Sequence, residues 1–84
     1  MYEVLIEKHA EKDLKKLPEK LFQKIFPPIR NLRNNPRPSN SRKMVGSEND
    51  YRLRVGDYRV LYEVNDKSME VRIFRIRHRR EVYR

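Results

Sequence analysis

Three arginines in the stretch YRLRVGDYRVLYEV, Tyr51 to Val64, are the residues of this chain best suited to chemistry on an anion. Gly56-Asp57 reads as a two-residue hairpin turn of the Gly-X kind. Counting outward from it sets Val55 opposite Tyr58, Arg54 opposite Arg59, Leu53 opposite Val60, Arg52 opposite Leu61 and Tyr51 opposite Tyr62. Tyr51, Leu53, Val55, Tyr58, Val60 and Tyr62 then share one apolar face, and Arg52, Arg54 and Arg59 share the other. Like charges directly opposed across a hairpin are destabilising, so Arg54 against Arg59 is a cost that packing does not explain. A site that gathers anionic charge explains it. The alternative is pairing with Glu48, Asp50, Glu63 or Glu70 at the surface, where such ion pairs are weak.

The same chemistry recurs in RIRHRREVYR, Arg75 to Arg84, with five arginines, one histidine and one tyrosine. Arg75, Arg77, Arg80 and Arg84 extend the basic surface, and His78, Arg79 and Tyr83 fall where the chain can fold over the edge of the arginine face. An exposed tyrosine there can stack on an unpaired base, the usual way of holding single-stranded RNA; a plug on the core is the alternative for Tyr83. If the anion is an RNA phosphodiester, cleavage by the adjacent 2′-hydroxyl needs a base, cations for the charge that develops on phosphorus, and an acid for the leaving 5′-oxygen. Histidine is the side chain that ordinarily titrates near neutrality, which makes His78 a candidate base on this face. His9 opens a helix far from these segments and reads as structural. Two separated histidines and no cysteine give no metal-site pattern, and the reading needs no cofactor.

Composition points the same way. The chain has 84 residues, 21 basic against 12 acidic, for a formal net charge of +9, and such a surplus on a small domain attracts polyanions, nucleic acid first. Up to residue 50 the basic residues are seven lysines and four arginines, whereas from Tyr51 onward they are nine arginines and only Lys67. Lysine suits a hydrated helix surface, and the bidentate fork of arginine suits phosphate. The length fits a single domain over residues 1–84. Absence of cysteine fits a reducing cytoplasm, and no apolar run approaches the ~20 residues a membrane span needs.

Several elements must position these residues. Tyr2, Val4 and Ile6 alternate with Glu3, Leu5 and Glu7 as a first strand. Ala10, Leu14 and Leu17 mark a short amphipathic helix, and Leu21, Phe22, Ile25, Ile29 and Leu32 a second one opened by Pro18 and closed by Asn34 to Pro36. Pro27 and Pro28 sit inside the second pattern, where each costs about 3 kcal/mol, and predict a kink or break. Residues Arg37 to Ser41 are loop. Arg42 to Val45, Asn49 to Val55, Tyr58 to Asn65 and Met69 to Arg77 read as strands. This order predicts an α+β fold with two helices on one face of a mostly antiparallel sheet.

The combination V-G-D-Y-R-V-x-Y at Val55 to Tyr62 with H-R-x-E-V-Y at His78 to Tyr83, behind a strand and two helices, resembles the RelE branch of the RelE/ParE toxin superfamily. The resemblance spans essentially the whole chain. It implies a type II toxin, a metal-independent endoribonuclease that enters the ribosomal A site, cuts messenger RNA by 2′-hydroxyl attack and is held inactive by a co-encoded antitoxin. Carried over by position, Arg52 and Arg54 match the paired basic residues before the turn, Arg59 the arginine that holds the scissile phosphate, Arg79 the arginine that stabilises the leaving group, and Tyr83 the tyrosine that stacks on the RNA. Well-studied members carry lysine at the paired positions, where a crowded lysine can serve as base. Arginine stays charged at physiological pH, so Arg52 and Arg54 act as electrostatic stabilisers and the base falls to His78, Tyr83 or a ribosomal group. The sequence ends one residue after Tyr83, which implies that the additional C-terminal helix of some relatives is missing and that an acidic antitoxin wraps the domain and covers the arginines. The same resemblance admits a ParE-like toxin that inhibits DNA gyrase, and the charge alone admits a non-catalytic RNA-binding module.

Overall fold

In the computed structural model, which describes residues 1–82, the elements run β1 (Glu3–Ile6), α1 (Lys8–Lys15), α2 (Glu19–Asn31), β2 (Ser41–Lys43), β3 (Asp50–Val55), β4 (Tyr58–Asn65), β5 (Glu70–His78) and α3 (Arg79–Val82). The five strands form one sheet in the order β1-β5-β4-β3-β2. Strands β2 to β5 are an antiparallel meander, and β1 joins its far side parallel to β5. The α+β fold and the helix-covered face are as the residue pattern predicts.

The core follows from periodicity. Ala10 and Leu14 of α1, and Ile25, Ile29 and Leu32 of α2 and its end, bury against Leu53, Val60, Tyr62, Val64, Val71, Ile73 and Ile76 of the sheet. Tyr62 is fully enclosed, and its hydroxyl donates to the Pro36 carbonyl at 2.8 Å, so a buried polar tip is satisfied while it anchors the loop after α2. Burial also holds the Tyr62 phenol above its usual pKa.

Of the kink or break expected in the second helix, the break does not occur. α2 runs through Pro27 and Pro28 without interruption. The carbonyls that these prolines leave without a helical donor belong to Gln23 and Lys24, both exposed, where water can take the place of the missing N–H groups. The two prolines are themselves half-buried between the core residues Ile25 and Ile29, so packing of that stripe carries the helix through.

Strand ends differ from the sequence reading by one or two residues, since β2 covers Ser41–Lys43 and β5 runs one residue further, to His78. The larger differences lie in β5. Phe74 interrupts its alternation, and the pairing with β4 shifts between Leu61 and Tyr62. A bulge of one residue exchanges the two faces beyond it. Ile76 therefore continues the buried set of Val71 and Ile73, Arg77 turns to the face of Arg59, and His78 turns to the face of Tyr58.

Beyond Ile6 the outer edge of β5 loses its β1 partner, and α1 covers it instead. The Ile76 N–H donates to Asp13 Oδ2 at 2.9 Å, which satisfies a strand-edge amide that has no neighbouring strand. Arg75 Nε lies 3.1 Å from the same oxygen as an ionic contact. At the opposite end of the sheet, Arg37 Nη2 pairs with Asp66 at 2.9 Å, Arg37 Nε donates to the Tyr51 hydroxyl at 2.8 Å, and Tyr2 donates to Asp66 at 2.6 Å. This network straps the loop after α2 to the N-terminus and to the β4–β5 turn. The Arg37 hydrogen bond and that from Tyr2 hold the Asp66 carboxyl below its usual range, and the Asp66 carboxylate raises the Tyr2 phenol.

Candidate functional site

The hairpin register is as counted from the turn: Arg54 pairs with Arg59, Arg52 with Leu61 and Tyr51 with Tyr62. Gly56 holds the turn with φ of +58°, a left-handed value that glycine adopts without steric cost. The helix-side face buries Leu53, Val60 and Tyr62, which leaves Arg52, Arg54 and Arg59 on the uncovered side. There they line a pocket of about 270 Å³ together with Ser39, Asn40 and Arg42. Its described lining holds four guanidinium groups and no carboxylate.

Two of these arginines face each other on each of two levels. Arg42 of β2 pairs with Arg52 of β3, and Arg54 of β3 pairs with Arg59 of β4. The second level continues to Arg77, which pairs with Arg59 from β5. Arg59 is the most enclosed of them at 8% exposure, and its Nη1 donates to the carbonyls of Gly56 and Tyr58, both at 2.9 Å. Two backbone acceptors therefore fix the guanidinium in place before any ligand arrives. Asn40 forms the pocket wall through a reciprocal link to β3: the Arg54 N–H donates to the Asn40 carbonyl at 3.0 Å, and Asn40 Nδ2 donates to the Arg54 carbonyl at 2.8 Å. None of Glu48, Asp50, Glu63 and Glu70 is among the pocket's described lining residues. Asp50 and Glu63 stand opposite one another in the β3–β4 register and line a separate pocket with Arg72, and Glu70 bonds to Arg72 at 3.4 Å.

The C-terminal motif is organised differently from its sequence reading. His78 stacks edge-on against Tyr58, with ring centroids 5.3 Å apart, on the helix side of the sheet. It is also the N-cap of α3. Its Nδ1 accepts from the Arg80 N–H at 3.3 Å, while Glu81 reaches back to accept from the His78 N–H at 3.1 Å. That reciprocal arrangement is a capping box, with histidine in the place usually taken by serine or threonine. It holds Glu81 below the usual carboxylate range, with the Arg77 ion pair at 3.0 Å as the second cause. His78 thus lies outside the lining of the arginine pocket, with its ring against Tyr58 and its Nδ1 at a helix end.

The same box fixes Arg79. Its N–H donates to the Asp57 carbonyl at 2.7 Å, which docks the start of α3 on the hairpin turn beside Arg59. Arg75, counted from sequence among the RNA-binding residues, pairs with Asp13. The Arg80 side chain is exposed, and Tyr83 and Arg84 lie outside the described residues. Arg42 and Asn40 are pocket residues that sequence reasoning missed. The signal was present in the pairing of β2 with β3, but a three-residue strand after a loop offers too few alternations to assign its faces.

Fold and pocket together define a small α+β domain with one helix-covered sheet face and one cationic face. Comparison with known proteins specifies it further. The family described as the ParE toxin of the type II toxin-antitoxin system parDE matches residues 4–83. Toxin RelE3 of Methanocaldococcus jannaschii is 36% identical, over 95% of this chain and 93% of the relative. Toxin RelE of Mycobacterium tuberculosis is 36% identical, over 99% and 87%. Among solved structures, the archaeal RelE-RelB complex from Pyrococcus horikoshii OT3 superposes with a TM-score of 0.82 at 32% identity, covering 93% of this chain and 94% of that one. The chain belongs to the RelE/ParE superfamily of type II toxins.

Proposed function

We propose that this toxin is a ribosome-dependent endoribonuclease that cuts messenger RNA in the A site by attack of a 2′-hydroxyl on the adjacent phosphodiester. The observation that carries the reading is the pocket bounded by Arg42, Arg52, Arg54 and Arg59, with no carboxylate among its described lining residues. Arg59, held by two backbone carbonyls, grips the scissile phosphate; Arg52 and Arg54 stabilise the charge that grows on its oxygens. Arg79, docked on the turn, faces the leaving 5′-oxygen, and Tyr83 stacks on the neighbouring base. The attacking hydroxyl forms its bond to phosphorus as the bond to the 5′-oxygen breaks, which leaves a 2′,3′-cyclic phosphate and a 5′-hydroxyl. With His78 occupied as a cap, the proton of the 2′-hydroxyl passes to Tyr83 in its phenolate form or to a ribosomal base, and the leaving 5′-oxygen takes up a proton from a ribosomal group or from water.

The partners are the ribosome with its messenger RNA and a co-encoded antitoxin, both met in the cytoplasm. The RelE chains of Pyrococcus horikoshii OT3 and Methanococcus jannaschii are solved as complexes with RelB, which supports an antitoxin for this chain. An acidic antitoxin that wraps the domain would neutralise the arginine face. Among the described residues no helix is long and apolar enough to cross a membrane.

Primer extension on a defined messenger RNA in a reconstituted translation system tests the reading. Cuts within the A-site codon are expected only when ribosomes are present. The matching family carries the ParE description, which favours gyrase inhibition as the second reading. No cuts, with loss of DNA supercoiling instead, would establish that one.

A further inference from the structure

The pocket sets its arginines on two levels. Four guanidiniums surround it. A phosphodiester brings one negative charge, and the phosphorane formed by 2′-hydroxyl attack brings two. The four guanidiniums are arranged rather than scattered. Arg42 opposes Arg52 and Arg54 opposes Arg59, and the β3 members of the two pairs are two residues apart on one face. Two residues along a strand span about 7 Å, comparable with the separation of successive phosphates on an extended nucleic-acid strand. Arg54 and Arg59 set two like charges opposite one another, a cost that an anion bound between them reverses.

We infer that the pocket is a two-phosphate clamp: the Arg54–Arg59 level holds the scissile phosphodiester, and the Arg42–Arg52 level holds the phosphodiester next to it. The inference rests on the ribonuclease reading for which phosphate is cut, but not for the binding itself. The ligand class is a single-stranded segment with at least two consecutive phosphodiesters. Arg42, exposed on an edge strand, becomes a binding residue for the neighbouring phosphate. Arg59, fixed by the Gly56 and Tyr58 carbonyls, belongs to the scissile position. Ser39 and Asn40 line the same pocket, with Asn40 bonded to both backbone groups of Arg54 at the scissile level.

Calorimetric titration of the intact protein with 2′-O-methyl trinucleotides, which cannot be cleaved, tests the clamp. One probe carries two phosphodiesters; the others carry one phosphodiester and one neutral methylphosphonate, in either order, so that the bases stay constant. The doubly charged probe is expected to bind at least tenfold more tightly than either singly charged one, with a log–log salt slope steeper by about 0.7. Arg42→Ala is expected to abolish that advantage by weakening the doubly charged probe and the probe charged only at the second level, while the probe charged at the scissile level changes least. A tetranucleotide with a third phosphodiester should add less than threefold.

Equal affinities for the probes, an equal gain for every added phosphate, an equal loss of all probes in Arg42→Ala, or no binding of any probe would each overturn the clamp. Cleavage on ribosomes is measured separately. A protein that shows the stepwise binding but makes no cuts keeps the clamp and loses the ribonuclease reading, and one that cuts without the step does the reverse.

Discussion

Arg54 and Arg59 stand directly opposite one another across the hairpin, and Arg59 is tethered by its Nη1 to two carbonyls of the turn between them. A like-charge pair of this kind lowers stability, so Arg54→Ala is expected to raise the stability of the free protein by about 0.2–1 kcal/mol while it lowers cleavage. Chemical denaturation beside a ribosome-dependent cleavage assay checks both at once. Arg59→Ala is expected to remove cleavage while the fold and antitoxin binding persist. Full activity in Arg59→Ala would refute its assignment to the phosphate.

His78 caps α3 and packs on Tyr58, so its loss acts through structure. His78→Ala is expected to cost about 0.5–2 kcal/mol, as other N-cap deletions do, and His78→Asn to recover most of that cost. Cleavage should follow the same order, with little change in its pH profile. A fall of roughly 10²-fold or more in both variants, with stability intact, would restore histidine as the proton acceptor.

Asp13 serves the unpaired edge of β5. Asp13→Ala leaves the Ile76 N–H and the Arg75 guanidinium without their acceptor, at a cost of about 1–3 kcal/mol. Asp13→Asn keeps an oxygen for the amide and should cost less. Amide hydrogen exchange at Ile76 reports this directly: protection should drop in the alanine variant and largely survive in the asparagine one.

The Arg37–Asp66–Tyr2 strap gives stability a defined response to acid. Asp66 has a lowered pKa in the folded protein, so on acidification the unfolded chain takes up the proton first. Its stabilising contribution is complete above the ordinary carboxylate range and fades as pH falls through the lowered value. Asp66→Asn is expected to flatten the pH dependence of the melting temperature in that acidic window. An unchanged acid limb would show that the strap does not couple to folding.

Much of this protein was legible from local periodicity. The Gly56-Asp57 turn determined the register of β3 and β4, and with it the separation of Leu53, Val60 and Tyr62 from Arg52, Arg54 and Arg59, because a two-residue turn leaves one way to pair its strands. The apolar stripes of α1 and α2 likewise determined which helix faces meet the sheet. The family resemblance was carried by the same hairpin and by the H-R-x-E-V-Y segment.

Tertiary structure decided what depends on neighbours distant in sequence. The bulge at Phe74 cannot be read from the alternation it breaks, yet it sends Arg77 to the cationic face and His78 to the helix side. Arg75 turns to Asp13 because β1 ends at Ile6 and α1 takes over the edge of β5. α2 passes through two prolines because the carbonyls they leave open lie on exposed residues and the buried stripe holds the helix together. Arg42 joins the pocket only once β2 pairs with β3. Local sequence specifies which groups a face carries, and the pairing of strands far apart in the chain specifies which of those faces meet.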